Sequence, residues 1–239
     1  MKNIKGIFPG VFTVGNMFCG FVSILSSFDG EPIFAAWMIV LAAFFDALDG
    51  QVARFAGTAS RFGVELDSFA DLLSFGIAPA VLFYNLNVYP SGKWGSILGF
   101  VFVMCGAFRL ARFNLQQSKL KEKLPYMGLP IPTTAVTLVS YILFCNEIWG
   151  TLRFPKALIT MIIAFSALMV SGIEYATLPK FSFSDRKNKI KLIYVFVFLI
   201  ALVINPRLAL FPFGLLYILS GLARGIYELF HTEKQESLA

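Results

Sequence analysis

Residues 45–72 read FDALDGQVARFAGTASRFGVELDSFADL and carry four carboxylates, Asp46, Asp49, Asp67 and Asp71, with a long apolar run on either side. Asp46 and Asp49 are three positions apart and Asp67 and Asp71 four apart, so on helices each pair projects from one face. Gly57, Thr58 and Ser60 mark a turn between the two pairs. The midpoint of Asp49 and Asp67 and that of Asp46 and Asp71 both fall beside Thr58. An antiparallel helical hairpin folded there sets Asp49 opposite Asp67 and Asp46 opposite Asp71 at matching depth.

Working outward, the flanking runs belong to a chain that is too apolar for a soluble domain. Hydrophobic residues make up 57% and charged residues 14%, with 27 Phe in 239 residues, against about 25% charged in an ordinary globular domain. Crossing a hydrocarbon layer of about 30 Å takes roughly 20 apolar residues in a helix, because unpaired backbone groups cannot face lipid. Such stretches lie near 10–28, 32–54, 66–87, 94–115, 129–149, 156–174, 189–205 and 207–230. Turn or charge signals separate them, including Asp29-Gly30-Glu31-Pro32, Pro90-Ser91-Gly92 and Pro155. At Asn205-Pro206-Arg207 the sequence allows either two helices with almost no loop or one broken helix. The fold class is all-α, a polytopic transmembrane bundle of about eight spans, with six to eight as bounds.

Lys and Arg are enriched on the cytoplasmic side of membrane proteins. With a cytoplasmic N-terminus and eight spans, only Lys93, Arg153, Lys156 and Arg207 of the 20 basic residues fall outside. Both termini and the acidic hairpin then face the cytoplasm. The net charge of +6 reads as an affinity for anionic lipid, with no basic soluble domain to carry a nucleic-acid role. Cys19, Cys105 and Cys145 lie in apolar stretches and predict neither disulfides nor a thiolate metal site. The Met1 to Lys5 start resembles a signal peptide but lacks a small-residue cleavage site, so the first apolar run is read as a retained helix.

Four carboxylates at the edge of a membrane cannot stay charged and unpaired; they share protons or bind cations. An all-oxygen ligand set selects Mg²⁺, Mn²⁺ or Ca²⁺ over zinc. The single histidine, His231, lies in the C-terminal tail, which excludes a His-based triad or metal site. Two ions ~4 Å apart are a recurrent device for displacement at phosphorus, so phosphoryl transfer is the favoured chemistry. Gly50 and Gly63 leave room beside the carboxylates, Ala53 keeps that surface small, and Arg54 offers a grip on phosphate. The same residues read equally as helix-packing positions and an interfacial arginine. A cation transporter using the carboxylates as a relay is the rival from another class; the lack of a second acidic hairpin counts against it.

Asp46, Asp49, Gly50, Ala53, Arg54, Gly63, Asp67 and Asp71 fit D-x2-D-G-x2-A-R-x8-G-x3-D-x3-D at all eight fixed positions. In this the chain resembles the CDP-alcohol phosphotransferase family. The resemblance implies a shared six-helix transmembrane core, usually homodimeric, with a site open to the cytosol. It implies two divalent ions held by Asp46, Asp49, Asp67 and Asp71, with Asp71 as the base. Asn16, Gly50, Ala53, Arg54 and Gly63 would contact the CDP-lipid, Asn16 reading equally as a helix–helix contact.

Further segments are similar to one branch of that family, the bacterial and archaeal CDP-diacylglycerol-serine O-phosphatidyltransferases. They are residues 13–21, 66–80, 108–114, 128–132 and 168–171. Gly10 departs from the family, which commonly has Asn there. The branch implies a CDP-diacylglycerol or CDP-archaeol donor, L-serine as acceptor and Mg²⁺ or Mn²⁺ as cofactor. Arg109, Arg112 and Asn114 could then form a carboxylate site for serine, though positive-inside topology alone would also put arginines there. Tyr126, the 128–132 turn and Lys180 are weaker candidates near the site. Other acceptors of the family, glycerol 3-phosphate, an inositol phosphate or choline, stay open. Residues 1–180 form the expected catalytic core and 181–239 two added helices and a tail.

Overall fold

The structure is a computed structural model that describes residues 7–56, 61–88, 93–118, 127–173, 175 and 186–236, among which every regular element is helical. Helix α1 (Ile7–Phe28) stops at Asp29-Gly30. Gly30 takes φ +76°, a conformation that glycine adopts without Cβ strain. Pro32 then opens α2 (Pro32–Ala56), its missing N–H costing nothing at a first helical position. Ala35, Ala36 and Ala42 on α2 are fully buried. These small side chains let α1 approach closely enough for Ser23 Oγ to donate to the Ala35 carbonyl at 2.9 Å.

The third rod is α3 (Arg61–Asp71), a π-helical turn (Leu72–Ile77) and α4 (Ala78–Asn85) in unbroken succession. Within the wide turn the N–H of Ala78 reaches back five residues to the Leu73 carbonyl. Pro79 follows directly and has no N–H for a regular helical bond to Phe75, so the wider turn falls where an α-helical ladder would be broken anyway.

Next come α5 (Lys93–Ser118), α6 (Ile131–Trp149) and α7 (Pro155–Val170). Then follow α8 (Arg186–Ile204) and α9 (Pro206–Glu236). Helix α6 is the axis of the bundle, with Leu138, Val139, Ile142 and Leu143 buried against α2, α7, α9 and the π turn. Phe75, Phe83 and Phe102 complete this core, whereas Phe18, Phe21, Phe44 and Phe100 point outward, as lipid-facing residues do. Cys19, Cys105 and Cys145 are free thiols.

Asn205-Pro206 makes a tight hairpin, which decides between the two readings of that boundary. Tyr194 donates to the Phe213 carbonyl at 2.6 Å and the Phe198 and Phe213 rings sit 5.1 Å apart, so α8 and α9 run back on each other. Asn205 Oδ1 caps α9 by accepting from the N–H groups of Arg207 (3.1 Å) and Leu208 (3.3 Å). Its Nδ2 and the Arg207 guanidinium both bond Glu147 at the end of α6, at 3.1 and 2.9 Å. That clasp ties the C-terminal hairpin to the core.

Six segments are long and apolar enough to cross a membrane: Gly10–Phe28, Pro32–Val52, Phe62–Asn85, Trp94–Gln116, Ile131–Trp149 and Pro206–Tyr227. Pro155–Val170 is apolar but shorter. The all-helical membrane architecture is thereby established, with six such spans among the described residues.

Candidate active site

The site is built where α1 packs against both α2 and α3. Asp46, Asp67 and Asp71 each bring a carboxylate oxygen within 4.8 Å of the others. Asp49 turns toward α1, where Thr13 donates its hydroxyl to Asp49 Oδ2. Asp67 still feels the charges of both Asp46 and Asp49. Asn16, one helical turn beyond Thr13, donates from Nδ2 to Asp71 Oδ1 at 3.2 Å. Thus the first helix reads both acidic pairs, one with a hydroxyl and one with an amide.

Two acceptor oxygens in this group, Asp49 Oδ1 and Asn16 Oδ1, are buried with no hydrogen-bond partner. Buried oxygens beside three clustered carboxylates are costly unless a donor or cation meets them. The residues present therefore fit a divalent cation, with Asp46, Asp67 and Asp71 as ligands and Asp49 Oδ1 free to join them.

The π turn sets the far wall. Ser74, wholly buried, donates to the Asn16 backbone carbonyl at 2.9 Å. It sits against Gly20, where an added Cβ would come within 2.8 Å of the Ser74 Cα. Neither Thr13 nor Ser74 was assigned a role from sequence. The available signal was their polarity in apolar helices, with Thr13 and Asn16 at helical spacing.

Around this centre, Gly50 faces open space, with nothing within 4 Å of where a side chain would start. Gly63 lies half-buried on α3, one turn before Asp67. Ala53 and Arg54 lie on the last turn of α2, and their side chains are outside the described residues, as are Tyr126 and Lys180. Asn114 reaches in from α5, donating to Ser68 Oγ at 2.9 Å beside Asp67.

The two arginines of α5 part company. Arg109 is buried, stacked over Phe113 at 5.1 Å, and its charge acts on Asp46 and Asp71. Arg112 directs its guanidinium at backbone carbonyls of Val170, Met127, Met169 and Ser171, at 3.0 to 3.1 Å. It closes the C-terminal end of α7, where carbonyls lack helical partners. Arg112→Ala is expected to cost about 1–3 kcal/mol in unfolding free energy. Lysine will not rescue it, because a point charge cannot span the carbonyls that the planar fork reaches. Thermal unfolding in detergent measures this; an unchanged midpoint for Arg112→Ala would refute the clamp.

The CDP-alcohol phosphatidyltransferase family matches residues 6–170, a segment that contains all four aspartates. The chain belongs to this family. Over 225 residues, 92% of each chain, it is 35% identical to a CDP-diacylglycerol–serine O-phosphatidyltransferase of Helicobacter pylori. It is 40% identical over 172 residues to an archaetidylserine synthase of Methanothermobacter thermautotrophicus, covering 70% of this chain and 68% of that one. A Bacillus subtilis CDP-diacylglycerol–serine O-phosphatidyltransferase is 35% identical over 172 residues, 72% of this chain and 91% of the relative. The likeness to the Helicobacter enzyme is longer than the family match and so runs into the C-terminal helices. As a CDP-alcohol phosphatidyltransferase, the chain has its family motif on the helix ends whose carboxylates converge.

Proposed function

We propose that this chain transfers the phosphatidyl group of CDP-diacylglycerol, or of its archaeol ether counterpart, to the hydroxyl of L-serine and releases CMP. The observation that carries the reading is the convergence of Asp46, Asp67 and Asp71, in a chain whose similar relatives bear serine-transferase names.

Asp46, Asp49, Asp67 and Asp71 would hold the divalent ions, two Mg²⁺ or Mn²⁺ in this reading. Bound ions supply charge neutralisation for the donor diphosphate and the departing CMP. The rest is the work of the chain's own side chains. Asn16 fixes the Asp71 carboxylate through Oδ1, and Asp71 takes the proton of the serine hydroxyl. As that oxygen bonds to the lipid-side phosphorus, the phosphorus–oxygen bond to CMP breaks. Thr13 holds Asp49 through Oδ2 and leaves Oδ1 without a partner. Gly50, Gly63, Ala53, Arg54 and Asn16 shape the CDP-lipid pocket, and the open space over Gly50 gives a nucleotide room.

Arg109 is the better placed arginine for the serine carboxylate, being buried and within electrostatic reach of Asp71. Asn114 supports that side through Ser68, while Arg112 shapes it indirectly by holding residues 127 and 169–171. In this reading residues 1–180 are the catalytic core and 181–239 an added hairpin and tail. The protein spans the cell membrane eight times as a homodimer, with both termini and the site facing the cytoplasm. The distribution of Lys and Arg supports that orientation, and family likeness supports the dimer.

Purified protein given one CDP-lipid, Mg²⁺ or Mn²⁺ and a panel of alcohols provides the test. CMP release is expected with L-serine, and chelation should reduce it to background. Release with glycerol 3-phosphate, an inositol phosphate or choline but not with serine would overturn the acceptor assignment. No CMP release with any alcohol would favour the transporter.

A further inference from the structure

Helix α9 lies beyond the segment that the family matches, and it packs on α6 and on the residues just after α7. It docks through glycines: Gly214 against Thr137, Gly221 against the Tyr175 ring, and Gly225 against Ile173, where an added Cβ would come within 2.8 Å of a side-chain carbon. The Tyr175 ring thus occupies the space that a side chain at residue 221 would need. The Tyr217 ring of α9 lies 6.1 Å from it. Tyr175 is 5% exposed, and its hydroxyl is buried without a hydrogen-bond partner. Burial pushes that phenol up to about 12, so it stays a neutral O–H donor at cellular pH.

Arg109 connects this corner to the chemistry. Its charge acts on Asp46 and Asp71, and also on Tyr217. Arg109 is thus linked electrostatically both to the acidic cluster and to Tyr217, whose ring packs 6.1 Å from that of Tyr175 with its unpaired hydroxyl. A buried guanidinium with phenol donors beside it is a receptor for a small anion. Phosphates of the donor belong at the cation site, so the anion suited to the Arg109 end is one carried by the acceptor.

We propose that Tyr175 and Tyr217 complete the acceptor pocket with Arg109 and donate hydrogen bonds to the carboxylate of the incoming amino acid, so that the C-terminal helix takes part in choosing the acceptor. This rests on the reading that the acceptor is serine. Recognition of a charged group through a buried hydroxyl is lost when the hydroxyl is removed, at a cost of about tenfold or more in affinity.

The test uses the full-length protein with Tyr175→Phe, Tyr217→Phe and the double variant. CMP release is followed against L-serine and against serinol, which replaces the carboxylate with a hydroxymethyl group. At residue 175 phenylalanine keeps the ring against Gly221, and deleting its unpaired buried hydroxyl does not weaken the fold; for residue 217 the preference for serine over serinol is the readout that a loss of stability alone would not move. Each single variant is expected to raise the serine KM about tenfold, leave the CDP-lipid KM unchanged and reduce the preference for serine over serinol. An unchanged serine KM in the double variant, or a fall in kcat alone, overturns the inference while leaving serine as substrate. A wild-type enzyme that ignores serine overturns both readings.

Discussion

Asp71→Asn is expected to reduce serine-dependent CMP release by at least about a thousandfold, the scale of a general base acting at one proton. Asp67→Asn should do the same by depriving the site of a ligand. The two losses have different signatures. Asp71→Asn keeps an amide oxygen able to accept from Asn16, so the wall of the site persists while proton abstraction stops. Asp67→Asn removes one of the three clustered carboxylates, and with it the stabilisation that a bound cation confers in proportion to ln(1 + [ion]/Kd). Wild-type protein should therefore melt higher as Mg²⁺ or Mn²⁺ is added, and Asp67→Asn should lose most of that rise. In the absence of ions neither variant should melt lower than wild type, because each removes a charge from a crowded group of like charges. Full turnover in Asp67→Asn would refute the ligand assignment.

Gly20→Ala should damage both the fold and the site, because the added methyl group meets backbone. The added carbon would sit 2.8 Å from the Ser74 Cα, and backbone cannot swing aside as a side-chain tip can. Helix α1 would have to back away from the π turn, drawing the Asn16 carbonyl off Ser74 and the Asn16 amide off Asp71. Overpacking of this kind costs about 1–3 kcal/mol, and a shift of one ångström at a catalytic carboxylate costs about a hundredfold in rate. Gly50→Ala provides the contrast. Nothing lies within 4 Å of the new carbon there, so unfolding should be unchanged while the KM for CDP-lipid rises. Equal melting temperatures for Gly20→Ala and wild type would show that α1 and the π turn are not locked together.

The placing of the two acidic pairs on helix ends was legible because the helical period and the apolar runs are local properties, while the turn expected at Gly57, Thr58 and Ser60 lies outside the described residues. Spacing alone puts Asp46 and Asp71 at one depth, and these two do share the cluster with Asp67, but Asp49 is not part of that cluster as the same spacing expects, because its carboxylate is drawn to Thr13 on α1. The hydrogen bond from Thr13 to Asp49 was not legible, since it depends on which face α1 presents after packing. The arginine pair shows the same limit. Three residues apart on one helix, Arg109 and Arg112 look equivalent in sequence, yet one is buried over Phe113 within electrostatic reach of the carboxylates and the other binds the end of α7. That division is set by residues 169–171, far away in the chain. Gly20, likewise, announces nothing until Ser74 is found against it.

The widened turn at Leu72–Ile77 holds one residue more than the α-helical path it interrupts. Its two ends are therefore indexed separately: Asp67 and Asp71 are aligned by α1, whereas Leu82 and Phe83 are aligned by the bundle interior. Removing a single residue within that stretch would return the rod to ordinary pitch with both ends still in phase. Removing one between Asp67 and Asp71 would rotate one carboxylate away from the other. Along this rod, slack in chain length is confined to a short window directly behind the reacting groups, and Ser74 stands inside it.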